Sequence, residues 1–344
     1  MKRLSYLLET TCLFFAIAIS SCDKNTNQSI PEPPVLNISP SPAPISVPSG
    51  AKFYSNVSYD NYPETVFDIF VPASGHPTGL LIKIHGGGFR GGDKSDNYSN
   101  KGVNNEISTY LLDTIAVANL NYRLLQPTNE NEGVLKPLND CKRALQFIRY
   151  YCQFFNIDKS KVVLQGGSAG AGTSLWIGLN NDMANSNATD PIERESTKVK
   201  GIVANTTQST YDVLSWPTAV YSVYPALTLD SMITILSPEL LMGFYGISDT
   251  SQLFSPAITA YRAKVDMLAM MSADDPEIYV ATDSFDNVFP NSIGLLEHHP
   301  LQSKAVMDRA IQAGIPVKAY IPKLGIDNTN GESAQNFVRR KLKN

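Results

Sequence analysis

Lys161-Val162-Val163-Leu164-Gln165-Gly166-Gly167-Ser168-Ala169-Gly170-Ala171-Gly172 is the stretch that decides the fold. Lys161 to Gln165 is short and apolar enough for a buried strand. Residues 171–181 continue as a helix, so Gly-x-Ser-x-Gly falls on the turn between the two. Glycines at 166 and 170 let such a turn pass close to its neighbours, and the helix aims its N-terminal dipole at Ser168. A dinucleotide-binding loop is the structural rival for Gly167 to Gly172. That fingerprint belongs in the first strand-to-helix turn of its domain, whereas about four strands precede this one.

Outward from this turn, strand-like and helix-like segments alternate from about residue 51, the pattern of a mainly parallel sheet with helices on both faces. Lys52 to Tyr59 and Thr65 to Val71 alternate apolar and polar residues as an opening strand pair. Leu80 to Ile84 is a buried strand, 104–112 a helix, and Thr114 to Asn119 the next strand. Pro137 to Phe155 carries Leu138, Cys141, Ala144, Leu145, Ile148, Cys152 and Phe155 at helical steps. After Ser168 come a strand at Val199 to Ala204, a strand at Glu277 to Ala281, a helix at Leu301 to Ala313, a strand at Val317 to Ile321 and a helix at Ser333 to Leu342. Between 206 and 256 the strand period is lost among aromatic residues, and Ser237-Pro238-Glu239 starts a helix. This segment reads as a cap inserted over the sheet. The expected fold class is α/β, a doubly wound, mostly parallel sheet of about eight strands.

His85-Gly86-Gly87-Gly88-Phe89 directly follows the Leu80 to Ile84 strand. Three consecutive glycines leave backbone N–H groups able to approach a developing oxyanion. Together with Asn121-Tyr122-Arg123-Leu124 and Gly166-Gly167-Ser168-Ala169-Gly170, this loop resembles, in order and spacing, the α/β-hydrolase esterases related to hormone-sensitive lipase and the carboxylesterases. The resemblance spans about residues 51–342. It implies an α/β-hydrolase fold with Ser168 as nucleophile and the amides of Gly87, Gly88 and Ala169 as oxyanion hole. It further implies hydrolysis of a carboxylic ester, on a small molecule or linked to a polysaccharide, through an acyl-Ser168 intermediate.

In that family the acid follows the seventh strand and the histidine follows the eighth. The stretch Pro322-Lys323-Leu324-Gly325-Ile326-Asp327-Asn328 holds no histidine. The chain has four histidines in all. His76 reads as a loop residue on the surface, and His85 opens the glycine loop, which it is placed to orient by hydrogen bonding. His298 and His299 remain, just before Pro300 in the loop after the seventh strand, which opens on the same sheet edge as Ser168. One of the two is expected as a relocated base, with the other packing or capping the helix. Asp286 is the expected orienting acid, with Asp283 and Glu297 as rivals. The competing expectation is a ligand-binding lipoprotein that kept the pocket and lost the base.

The N-terminus reads differently. Lys2 and Arg3 precede a mostly apolar stretch from Leu4 to Ile19, broken by Glu9, and Ile19-Ser20-Ser21-Cys22 resembles the lipobox of bacterial lipoproteins. The resemblance implies a signal peptide over residues 1–21, cleavage before Cys22 and a lipid on its thiol. Residues 22–50 carry seven prolines among Ser and Asn and read as an extended tether, leaving 51–344 as the domain. An exported protein anchored to a membrane, periplasmic or at the cell surface, is the expectation.

Of the cysteines, only Cys141 and Cys152 belong to the body. On one helix they sit about 16 Å apart at about 1.5 Å per residue, past the roughly 7 Å limit for a disulfide. A formal charge of −4 offers no field for a phosphate backbone, so no nucleic-acid partner is expected. No Cys-x-x-Cys pair, His-Glu-x-x-His helix or Walker loop is present, so neither a metal nor an organic cofactor is implied.

Overall fold

The computed structural model describes residues 35–99 and 101–343. The expected signal peptide, Cys22 and the first part of the tether lie outside these residues. Within them the strands are Lys52–Ser58 (β1), Val66–Val71 (β2), Thr78–Ile84 (β3), Ile115–Leu120 (β4), Ile157–Gly167 (β5), Gly201–Asn205 (β6), Glu277–Ala281 (β7), Val317–Ile321 (β8) and Ile326–Asp327 (β9). The main helices are Lys101–Leu112 (α1), Leu135–Tyr150 (α2), Ala169–Leu179 (α3), Leu229–Leu236 (α4), Pro238–Tyr245 (α5), Pro256–Ala263 (α6), Ile293–His298 (α7), Pro300–Ala313 (α8) and Ala334–Lys343 (α9).

The strands form one sheet in the order β1-β2-β4-β3-β5-β6-β7-β8-β9. Strands β3 to β8 run parallel, while β1, β2 and β9 pair antiparallel at the edges. The ninth strand is the two-residue β9, too short to leave a periodic signal. Alternate residues of each strand serve opposite faces. Leu80, Ile82, Val162 and Leu164 pack with α2, α3 and α8, and Leu81, Val117 and Val163 pack with α1 and α9. Both faces are therefore covered, which is why these strands read as continuous apolar runs.

The chain leaves β3 toward β4 on one side and returns to β5 on the other. Their C-terminal ends form the switch point at which open α/β sheets place their ligands. The glycine loop after β3 and the serine turn after β5 meet there.

The cap lies in the connection from β6 to β7, whose flanking residues Tyr211, Val265, Met267 and Met271 pack in the core of the sheet. It has its own apolar core, with Trp216, Tyr221, Met232, Leu236, Leu241 and Tyr245 buried against Leu296 of α7 and Leu301 of α8. Ser237 caps α5 through Leu240 N–H, with Pro238 in its first turn, as the sequence suggested.

The tether expectation requires a correction over residues 35–50. Ala43, Ile45 and Val47 pack on the α1/α9 side of the sheet, Ser41 N–H donates to Phe53 O (2.7 Å), and Ser108 Oγ donates to Ser46 O (2.7 Å). Proline holds this run extended, but its few apolar side chains suffice to dock it. Cys141 and Cys152 are free, Cys141 buried in α2 and Cys152 just past its end. Among the described residues no helix is long and apolar enough to cross a membrane.

Candidate active site

Ser168 sits between β5 and α3 with φ 52° and ψ −122°, a backbone state that β-carbon sterics make costly. Neighbours on every side over-determine it. A Cβ on Gly166 would fall 2.2 Å from the Gly170 carbonyl carbon, and one on Gly170 would fall 2.1 Å from Ile84 O. The turn is tied sideways as well, since Ser168 N–H donates to Asn205 O at the end of β6 (3.0 Å) and Tyr211 Oη donates to Ala169 O (2.8 Å).

The glycine loop is held just as tightly. Gly87, Gly88 and Phe89 all have positive φ, and a Cβ on Gly87 would collide with Gly91 O at 2.3 Å. His85 does orient this loop. Its Nδ1 lies 2.7 Å from Gly86 O, its ring stacks on Tyr122 at 4.2 Å, and Tyr122 Oη donates to His85 O (2.9 Å). Burial lowers the His85 pKa. The Asn121 to Leu124 motif thereby acquires a physical meaning. Tyr122 secures the loop, Asn121 accepts from Lys94 N–H (2.6 Å), and Arg123 forks onto Asp140 (2.9 and 2.6 Å). His76 is an exposed loop residue.

The two remaining histidines separate. His298 Nε2 lies 2.7 Å from Ser168 Oγ, and its Nδ1 lies 3.1 Å from Gly294 O, one helical turn earlier in α7. Phe285 stacks on the ring at 5.0 Å. With Nδ1–H donating to the Gly294 carbonyl, Nε2 is the acceptor that faces the serine hydroxyl. Burial lowers the His298 pKa, partly offset by that carbonyl. His299 is fully buried and points elsewhere. Its Nδ1 accepts from Leu301 N–H (3.1 Å) as the cap of α8, and its Nε2 donates to Val288 O (2.9 Å).

The expected acid is not found on the histidine. Asp286 is 69% exposed and pairs with Lys323 at 2.7 Å, which holds its carboxyl below the usual range. Asp283 accepts from its neighbour Ser284 Oγ. Glu297 lines the cavity in front of Ser168, and its carboxyl makes no hydrogen bond to His298. The group that faces His298 Nδ1 is instead the main-chain carbonyl of Gly294. No side-chain signal marks such a group, and the only trace was the four-residue spacing of Gly294 and His298, visible once α7 is known to be a helix.

Helix α7 is anchored by a buried polar cluster that sequence reasoning missed. Gln302 accepts from Ser209 N–H (2.9 Å) and Ser209 Oγ (2.7 Å) and donates to Leu296 O (3.1 Å), which also accepts from Tyr221 Oη. Gln208 Nε2 donates to Glu297 O (2.9 Å).

Ser168, His298, Gly87, Gly88 and Ala169 border one cavity of about 500 Å³. Its remaining walls are mostly apolar and aromatic, with Phe89, Tyr211, Trp216, Leu241 and Phe244 prominent.

The family model BD-FAE, of an α/β-hydrolase esterase family, matches residues 67–226, just under half of the chain. No curated protein matches the chain significantly. Among solved structures, a truncated carbohydrate esterase from gut microbiota is 17% identical with TM-score 0.55, over 88% of this chain and 98% of that one. Esterase B from Lactobacillus rhamnosis is 16% identical with TM-score 0.54, over 85% and 84% of the two chains. An acetyl ester-xyloside bifunctional hydrolase from Caldicellulosiruptor lactoaceticus is 19% identical with TM-score 0.51, over 74% and 76%. At such identities the likeness speaks for the fold, which is that of the α/β-hydrolases.

Proposed function

We propose that this α/β-hydrolase cleaves carboxylic esters through an acyl enzyme on Ser168, with His298 as its base. The observation that carries the proposal is the 2.7 Å contact between Ser168 Oγ and His298 Nε2. Ser168 Oγ adds to the ester carbonyl as its proton passes to His298 Nε2. The tetrahedral oxyanion forms beside the amides of Gly87, Gly88 and Ala169. His298 returns the proton to the departing alkoxide, leaving the acyl-serine. Water then adds to the acyl carbon, giving its proton to Nε2, and the acid leaves as Ser168 Oγ is reprotonated.

An ionised acid in such sites orients the imidazole, selects its tautomer and stabilises the imidazolium. Gly294 O supplies the first two through its bond to Nδ1–H. For the third it offers a partial charge, supplemented by the carbonyl-rich C-terminus of α7 where His298 sits. A base already in contact with the nucleophile disfavours the non-catalytic ligand-binding reading.

The finer substrate class follows the names of the similar structures, two of which are a carbohydrate esterase and an acetyl ester-xyloside hydrolase. An ester carried by a carbohydrate suits them, with an apolar or aromatic acyl or alcohol group in the cavity. For location, Ile19-Ser20-Ser21-Cys22 supports export and lipid attachment at Cys22, and loss of membrane association in Cys22→Ser tests this.

The test of the reaction is hydrolysis of p-nitrophenyl acetate and butyrate by the wild type, Ser168→Ala, His298→Ala and His299→Ala. Loss of about 10³-fold or more in kcat is expected for the first two variants. His299→Ala should show its defect mainly as a lowered melting temperature. Equal rates for wild type and Ser168→Ala would refute the proposal.

A further inference from the structure

Within the cavity in front of Ser168, Glu297 stands out. It is the only carboxylate among the described residues that line the cavity, it is half-buried, and its carboxyl has no hydrogen-bond or salt-bridge partner. Its main-chain carbonyl is held by Gln208 and its sequence neighbour His298 is held by Ser168 and Gly294, so the residue is placed by contacts that leave its carboxyl unused. Burying a carboxyl without a partner is unfavourable, and such groups in otherwise satisfied proteins call for an explanation. Burial raises the Glu297 pKa to about 7, with Arg90 at the cavity rim pulling the other way.

We propose that Glu297 is a specificity residue which accepts a hydrogen bond from a hydroxyl on the substrate group that fills the cavity. This rests on the ester-hydrolase reading above and names what that site selects. A hydroxyl fits better than an ammonium for two reasons. Arg90 lies close enough to Glu297 to act on its charge, and its guanidinium, fixed by a bond from Nη2 to Leu240 O (3.0 Å), would repel a second cation. A hydroxyl can also serve either protonation state of the carboxyl, as acceptor or as donor. The aromatic walls of Phe89, Trp216 and Phe244 suit a ring as the carrier of that hydroxyl, either a phenol or a sugar, since both lay an apolar face on aromatic side chains.

Two pairs of esters distinguish these sources. The phenolic arm compares methyl 3-(4-hydroxyphenyl)propanoate with methyl 3-phenylpropanoate. The sugar arm compares methyl 3-O-acetyl-β-D-xylopyranoside with cyclohexyl acetate. In one arm the wild type should favour the hydroxylated ester by about tenfold or more in kcat/KM, because a site built around a hydroxyl discriminates against its absence. Glu297→Leu should bring that preference within about threefold of unity, and Glu297→Gln, which keeps an acceptor without the charge, should retain part of it. Melting curves establish that both variants are folded. A preference that survives Glu297→Leu, or its absence from both arms, overturns the inference while leaving Ser168-dependent hydrolysis intact. Faster hydrolysis of methyl 3-(4-(aminomethyl)phenyl)propanoate than of either propanoate overturns it in favour of a cation. Hydrolysis that is unaltered by Ser168→Ala overturns the ester reading itself, and the inference with it.

Discussion

At the scale of single residues, the site differs from a serine-histidine-carboxylate triad in its third member. The imidazole of His298 is poised by a neutral carbonyl, so its basicity is not raised by a full negative charge, and burial lowers its pKa below the ordinary 6.5. The neutral form is the base, so kcat/KM should rise with pH through a midpoint below 6.5 and be flat above it. A profile of p-nitrophenyl butyrate hydrolysis from pH 4.5 to 8 checks this, and repeating it with Glu297→Gln separates the imidazole from the carboxyl that titrates near 7 in the same cavity. Asp286→Asn should leave kcat within about threefold of wild type, because Asp286 pairs with Lys323 in solvent and makes no hydrogen bond to His298, whose Nδ1 faces Gly294 O. A loss of 10³-fold or more in that variant would restore Asp286 to the catalytic set.

At the scale of elements, the position of His298, the proposed base, is a property of α7, and α7 is held by the cap. Leu296 is buried in the cap's own core, and its carbonyl receives Gln302 and Tyr221. Gln302→Leu removes the group that joins Ser209 on the cap's entry to α7 and leaves the Ser209 donors unpaired. The expected cost is about 1–3 kcal/mol of stability for the buried unpaired groups. The His298 ring should shift with it, lowering kcat by about 10- to 100-fold with a smaller effect on KM, since misplacing a catalytic group by about 1 Å has effects of this size. Chemical denaturation together with steady-state kinetics measures both. The short α7 also explains the reading of His298 and His299 as one loop. His298 ends one helix while His299 caps the next, so adjacent residues face different surroundings.

At the scale of the whole molecule, a sheet covered on both faces carries a cap with a separate core, and Ser168 and His298 line the cavity between the two. The N-terminal boundary belongs to this scale as well. Residues 41–47 dock on the sheet through Ala43, Ile45 and Val47 and through hydrogen bonds to Phe53 and Ser108. A chain beginning at residue 51 should therefore be less stable than one beginning at 35, by about 1–3 kcal/mol for partly buried aliphatic side chains. Melting temperatures of the two chains measure the difference, and equal values would return this segment to the role of a free tether.

The elbow at Ser168, the glycine loop at Gly87 and Gly88, and the order of strands and helices were legible in the sequence alone. Each depends on local sterics or on a short apolar period, and these leave marks in neighbouring residues. The histidine proposed as base was legible only as a pair, because elimination among four histidines reached His298 and His299 but could not separate them. Separating them required α7, whose last residue faces a serine 130 positions earlier in the chain. The partner of that histidine was hidden altogether, since every residue has a carbonyl and only its direction in space singles out that of Gly294. The same holds for Glu297, an ordinary charge in the sequence that becomes an unpaired carboxyl at the active site only when the cap closes over the sheet.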